Sequence, residues 1–238
     1  MKEQQYNNVI IACDFSGADE LFRFLPAFGD LRPYLKIGME LFYAEGPSIV
    51  NKLKDMGFPI FLDLKLHDIP NTVKKAMAVL SRLNVDMCNL HAAGTSRMMQ
   101  AALEGLTRED GSRPLLLAVT QLTSTSEEMM QNELLINGKI SDVVGSYALN
   151  ARQSGLDGVV CSPLESTIVK RTCGEKFLTV TPGVRFADSS VNDQVRVTTP
   201  ARARELGSDY IVVGRPITAA DDPREAYIRC LKEFNGLE

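Results

Sequence analysis

The stretch Phe61-Leu62-Asp63-Leu64-Lys65-Leu66-His67-Asp68-Ile69-Pro70 begins as a strand and ends as a helix start. Side chains alternate faces along a strand. Leu62, Leu64 and Leu66 therefore share one face, and Phe61, Asp63 and Lys65 share the other. The three leucines predict packing against a layer of helices, which sends Asp63 and Lys65 to the opposite side of the sheet. In a dry core each ion would cost several kcal/mol even after relaxation. Two opposite charges two residues apart, with Asp68 just beyond, are better accommodated in a wet, preorganised site at a strand end.

Outward from this stretch, β-rich runs recur at Val9–Phe15, Tyr34–Met39, Ile60–Leu66, Met87–His91, Leu115–Leu122, Gly158–Cys161, Phe177–Thr181 and Tyr210–Val213. Amphipathic segments with helix punctuation lie between them. Asn51–Met56 ends at Gly57, a suitable C′ glycine. Pro70 stands near a helix start, where its missing N–H is harmless. Thr72–Leu83 carries Val73, Met77, Leu80 and Leu83 at helical spacing. Met98–Leu106 and Val143–Leu156 repeat the theme, Gly207 closes Pro200–Leu206, and Asp222-Pro223 opens the last helix. Strands alternating with helices imply a parallel sheet. Eight of them in 238 residues favour an α/β fold of the closed (β/α)8 TIM-barrel kind, a single domain spanning residues 1–238. A doubly wound open sheet is the alternative, although no GxGxxG follows the first strand. Two connections are long: Thr123 to about Asn137, expected to be partly helical, and Gly183–Thr199. Loops of this length in compact domains are usually functional or disordered.

Composition narrows the class. Lys and Arg total 26 against 30 Asp and Glu, a net charge of −4, which leaves no whole-chain footprint for nucleic acid. Five widely spaced cysteines form no CxxC pair, which fits reduced thiols in a cytoplasmic setting better than a disulfide framework or zinc site. Met1–Gln5 lacks the apolar run of a signal peptide, and no apolar run approaches membrane-spanning length.

Polar residues gather at the C-terminal ends of the expected strands: Asp14, Lys36, Asp63 with Lys65, His91, Thr123, Arg185 and Gly214-Arg215. In a barrel this is the end where active sites are built. Each residue alone has a plainer reading. Asp14 or Asp68 could cap the following helix, Lys36 could snorkel from the barrel mouth, and Arg185 or Arg215 could pair with surface carboxylates. With only one other histidine in the chain, His91 reads as a polar neighbour of the site rather than a metal ligand. Gly214 lets backbone N–H groups approach an anion closely. Loops after the seventh and eighth strands commonly bind phosphate in barrels, and Arg185 and Arg215 would add planar bidentate donors.

These residues resemble the orotidine 5′-phosphate decarboxylase family. The signature is Asp63-Leu-Lys65-Leu-His-Asp68-Ile69-Pro70-Asn-Thr72. It is flanked by Ala-Cys-Asp14-Phe, Leu-Lys36-Ile-Gly-Met-Glu, Val-Thr-Gln-Leu-Thr123-Ser, Thr181-Pro-Gly-Val-Arg185, Asp193-Gln194 and Val-Val-Gly214-Arg215-Pro-Ile. The resemblance covers nearly the whole chain and is greatest to the short, free-standing bacterial form. It implies decarboxylation of orotidine 5′-monophosphate to UMP and carbon dioxide, the last step of de novo pyrimidine nucleotide synthesis, with neither cofactor nor metal. It also implies a homodimer with shared sites. Lys36, Asp63 and Lys65 would belong to one subunit, and Asp68, Ile69 and Thr72 would reach into the neighbour's. Asp14 and Lys36 would hold ribose hydroxyls, Thr123 and Gln194 would lie near the pyrimidine and the closing loop, and Arg185, Gly214 and Arg215 would grip the phosphate. Lys65 would be the proton donor within a Lys36–Asp63–Lys65–Asp68 array.

Two other readings remain open at this level. A magnesium-dependent sugar-phosphate decarboxylase or synthase on the same barrel shares the Asp-x-Lys-x-x-Asp core. A non-catalytic nucleotide-binding protein would share the phosphate grip. Lys36, Ile69-Pro70 and the Arg185/Gln194 segment favour the nucleotide over the sugar phosphate, and a pure binder has no use for the Asp63/Lys65/Asp68 set.

Overall fold

The structure, a computed structural model, describes residues 7–188 and 198–237. Eight parallel strands close into a barrel in sequence order: β1 (Val9–Ala12), β2 (Tyr34–Gly38), β3 (Ile60–Leu66), β4 (Met87–His91), β5 (Leu115–Val119), β6 (Gly158–Val160), β7 (Leu178–Thr181) and β8 (Tyr210–Val213). β8 pairs with β1, so no edge is left open. Several strands end earlier than their β-rich runs. β1 stops at Ala12 and β5 at Val119, which leaves Asp14 and Thr123 in the loops beyond.

Strand alternation sorts the core into two shells. Ile10, Ala12, Tyr34, Phe61, Met87, Leu117, Val180 and Val212 fill the barrel interior. The intervening residues, Leu62 and Leu64 among them, face the helices in a second, larger cluster. Burying each such side chain contributes about 1.5–3 kcal/mol, and the division explains why the β3 leucines and the β3 charges part company. Helices Pro47–Asp55, Pro70–Ser81, Thr95–Leu106, Ile140–Gln153 and Pro223–Asn235 supply the outer layer. Asp222 caps the last of these by accepting from the Glu225 N–H at 2.9 Å. The connection after β5 holds a short helix, Glu127–Asn132, capped by Ser126. No helix among the described residues is long and apolar enough to cross a membrane. All five cysteines are buried and none is in a disulfide among the described residues.

At the N-terminal rim, one arrangement occurs three times. Asp86, Asp157 and Asp209 each stand immediately before an even-numbered strand. Each carboxylate accepts the N–H of a residue at the start of the preceding strand: Ile60 at 2.7 Å, Leu116 at 2.7 Å and Thr179 at 2.7 Å. Each aspartate N–H donates back to the carbonyl of that same residue. A cation completes each clasp: Lys54 for Asp86, Arg113 for Asp157 and the buried Lys170 for Asp209. The stagger of barrel strands leaves such N–H groups without a ladder partner, and a buried donor must find one.

Candidate active site

The barrel interior changes character towards its C-terminal mouth. One inward step above Tyr34, Phe61 and Met87 come Lys36, Asp63 and Asn89, all buried. Lys36 Nζ donates to Asp14 Oδ1 at 2.9 Å and lies 3.4 Å from Asp63 Oδ2. Lys65 Nζ donates to Asp63 Oδ1 at 2.7 Å. The result is a continuous alternating chain of charge, Asp14–Lys36–Asp63–Lys65, rising from the interior to the mouth. Burial pulls the Lys36 ammonium towards neutrality, but the Asp63 and Asp14 carboxylates outweigh it and the net shift is upward. Burial likewise pushes the Asp63 carboxyl up. Lys36 and Lys65, with hydrogen bonds from Lys65 and Asn89, more than reverse that and hold it below the ordinary carboxylate range. Both groups are therefore fixed as ions at neutral pH.

β3 is distorted where the chemistry-bearing residues sit. Its register with β4 shifts between Leu62 and Leu66, and Lys65 adopts φ +53°, the left-handed region. Such a conformation costs a non-glycine residue on the order of 1–3 kcal/mol and persists only where surroundings enforce it. The Lys65 N–H, withdrawn from the ladder, donates instead to Asn89 Oδ1 at 2.8 Å. Gly38 makes room for the first ion pair: a Cβ there would lie 3.0 Å from Lys36 Nζ and 3.2 Å from Asp14 Oδ1.

A cavity of about 220 Å³ opens over these groups. Lys36, Asp63 and Lys65 form its charged floor, and Gln121, Thr123 and Ser124 line its polar side. Phe61, Val160, Pro182 and Val212 offer apolar surface suited to a flat ring. The His67 and His91 rings lie tilted against each other with centroids 5.7 Å apart. Burial, His67 and Lys65 together lower the His91 pKa, against a smaller opposing pull from Asp63.

The expected residues divide into three groups. Asp14, Lys36, Asp63 and Lys65 come together in one network, and Thr123 lines the cavity above them. Gly214 and Arg215 follow β8, with Gly214 as N-cap of the turn Arg215–Thr218. Arg185 sits past β7, where its N–H donates to the Thr198 carbonyl at 2.9 Å and pins the base of the long connection. Gln194 lies outside the described residues. Asp68, expected to serve the neighbour's site, is exposed, accepts the adjacent Ile69 N–H at 2.6 Å, and makes no ion pair with Lys65 within its own chain. Within one chain the array runs Asp14–Lys36–Asp63–Lys65. Neither capping alternative holds, since Ile69 is the N-cap of Pro70–Ser81 and Gly17 that of the helix Ala18–Phe24. Ile69 is 67% exposed, and Thr72 is exposed beside it.

Sequence reasoning missed Asn89, Gln121 and Ser124. Parity would have found the first two, because Asn89 follows Met87 and Gln121 follows Leu117 and Val119 on the inward face.

The chain is 56% identical over 232 residues to an orotidine 5′-phosphate decarboxylase of Geobacillus sp. (strain WCH70), covering 96% of this chain and 97% of that protein. It is likewise 56% identical over 233 residues to that of Bacillus cytotoxicus, covering 97% and 98%. The crystal structure of orotidine 5′-phosphate decarboxylase from Lactobacillus acidophilus superimposes with a TM-score of 0.86 at 44% identity, over 97% of this chain and 100% of that one. Residues 7–230 match the sequence profile of a single family. With the barrel and its charged mouth, these similarities identify the chain as a member of the orotidine 5′-phosphate decarboxylase / HUMPS family.

Proposed function

We propose that this chain decarboxylates orotidine 5′-monophosphate to UMP and carbon dioxide, the last step of de novo pyrimidine nucleotide synthesis, with no metal or organic cofactor. We take residues 1–238 as one catalytic domain acting in the cytoplasm. The observation that carries the reading is the buried Asp14–Lys36–Asp63–Lys65 chain on the floor of a cavity with apolar walls.

Loss of carbon dioxide from C6 leaves an electron pair in the plane of the pyrimidine, out of conjugation with its carbonyls. Fixed positive charge at that carbon must do what an electron sink does elsewhere. Lys65 fits the task. Its ammonium is held against Asp63 at 2.7 Å on a backbone that cannot relax freely. Preorganised charge aimed at where charge develops is usually the largest single catalytic term. Lys65 then delivers a proton to C6. Asp63 directs the Lys65 ammonium, while Lys36 balances Asp63 from below and, with Asp14, takes ribose hydroxyls. Thr123 faces the pyrimidine. Arg185, Gly214 and Arg215 hold the phosphate. Phosphate binding remote from the breaking bond supplies energy for closure and orientation.

The site is completed by a second copy of the chain. Asp68, Ile69 and Thr72 project from the barrel mouth without partners in the catalytic network, as expected of residues that serve the neighbour's site. Asp68 would then join the partner's Lys65 and extend the charge chain.

The test is loss of orotidylate absorbance with purified, EDTA-treated protein. Full turnover supports the reading, and activity that requires added magnesium overturns it. Binding of UMP without turnover would overturn it equally. For the shared site, mixing inactive Lys65→Ala and Asp68→Ala variants should restore activity, because one site of the mixed dimer keeps both residues. No recovery after demonstrated subunit exchange refutes the sharing.

A further inference from the structure

We infer that Asn89 is a positioning residue for this decarboxylation, setting the Lys65 backbone and the Asp63 carboxylate with the two ends of one amide. The inference rests on the decarboxylase reading above and goes beyond it in assigning the group that holds the reacting pair in place.

Asn89 lies in β4, is 1% exposed and points into the barrel one step above Met87. Its Oδ1 accepts the Lys65 N–H at 2.8 Å, and its Nδ2 donates to Asp63 Oδ1 at 2.6 Å. The same Asp63 oxygen accepts from Lys65 Nζ at 2.7 Å. The bonds form a closed ring: Lys65 backbone, Asn89 amide, Asp63 carboxylate, Lys65 ammonium.

Each bond meets a need the fold creates. The register shift of β3 takes the Lys65 N–H off the ladder and turns its backbone left-handed. A buried donor left unpaired there would be costly, and without an acceptor the residue would relax towards ordinary strand geometry. Relaxation would swing the ammonium away from the cavity. Asp63, at the other end, must present one oxygen to Lys65 and the other to Lys36. The Asn89 N–H fixes that rotation. A short amide offers an acceptor to the one and a donor to the other from two separate atoms. Leucine would offer neither, and aspartate would set a carboxylate against a carboxylate.

A role confined to packing predicts indifference to protonation, whereas the positioning role does not. In Asn89→Asp the acceptor for Lys65 survives and the donor to Asp63 is lost. Two carboxylates at that separation compete for one proton, whose pKa rises. When the new acid is protonated, its O–H can donate to Asp63 as the amide did.

The experiment measures kcat, KM, UMP affinity and thermal unfolding for wild type, Asn89→Ala and Asn89→Asp. For Asn89→Ala the expected result is a kcat at least 30-fold lower, with UMP affinity within threefold and cooperative unfolding retained. For Asn89→Asp the expected result is a comparable loss at pH 8 that shrinks at least fivefold by pH 6, relative to wild type at each pH. A folded Asn89→Ala within threefold of wild-type kcat overturns the inference. So does an Asn89→Asp profile parallel to wild type, and that measurement decides the matter alone if Asn89→Ala does not fold. Wild type in the same assay separates the two levels. Absence of wild-type turnover overturns the decarboxylase reading and the inference with it, whereas normal wild-type turnover beside an active Asn89→Ala overturns the inference only.

Discussion

Gly38→Ala tests the charge chain with a single added methyl group. Gly38 has φ −89° and ψ −177°, so the backbone accepts alanine without strain. The perturbation falls on the ion pair instead. The methyl carbon would lie 3.0 Å from Lys36 Nζ and 3.2 Å from Asp14 Oδ1, so both must give by a few tenths of an ångström. Their 2.9 Å bond is then lengthened or broken. A hydrogen bond to a charged group contributes about 1.5–3 kcal/mol. The Asp14 side chain is 62% exposed, so solvent screens its share and the lower end of that range applies. About 1.5 kcal/mol corresponds to roughly a tenfold loss in kcat/KM for orotidylate. Global stability should hardly change, because removing a glycine from the unfolded chain returns about 0.4–1 kcal/mol. The assay is initial rate by orotidylate absorbance, alongside denaturant unfolding. The same substitution in a Lys36→Ala background provides the control, since there the methyl group meets no ammonium and should add little further loss. A kcat/KM within twofold of wild type, or an equal additional loss in both backgrounds, would refute the reasoning.

Three further predictions follow from the same geometry. Lys65→Ala should abolish decarboxylation while leaving UMP affinity within about tenfold; near-normal turnover would defeat the proton-donor assignment. Arg215→Ala should lower kcat/KM more than 100-fold, roughly 3 kcal/mol, and a loss under tenfold would argue against a phosphate grip. Asp63 is held below its ordinary value of 3.8, so the unfolded chain takes up its proton first on acidification. Its contribution to stability is full above that ordinary value and is lost as pH falls through the lowered one. Denaturant unfolding of Asp63→Asn between pH 5 and 2 should therefore show a shallower acid decline than wild type, and an identical slope would contradict the charge assignment.

The sequence made much of this legible because β-rich runs and leucine spacing are local signals. All eight strands lie where those runs lie, and the split between Leu62/Leu64 and Asp63/Lys65 followed from strand alternation alone. Strand ends were less legible, since the β-rich runs continue to Phe15 and Leu122, past the ends of β1 at Ala12 and β5 at Val119. Asn89 was hidden in Met-Cys-Asn-Leu-His, where a lone amide looks like filler and its partners are 24 and 26 residues away. The left-handed turn at Lys65 was invisible because lysine gives no hint of positive φ. Asp68 is assigned to the neighbouring subunit only through the family resemblance, because spacing alone cannot distinguish one subunit from another. The rim aspartates resembled ordinary loop residues, since each carboxylate's strand-start partner lies 26 to 41 residues earlier.

Those three rim clasps have a consequence for how the molecule divides its tasks. Asp86, Asp157 and Asp209 tie the staves in pairs at the base, the end opposite the charged cavity. Like hoops on a cask, they secure closure independently of whatever is carved at the mouth. The contorted lysine can be tolerated there because rigidity is supplied from below. The same separation means that loops at the mouth can be rewritten for new chemistry while the vessel stays sealed.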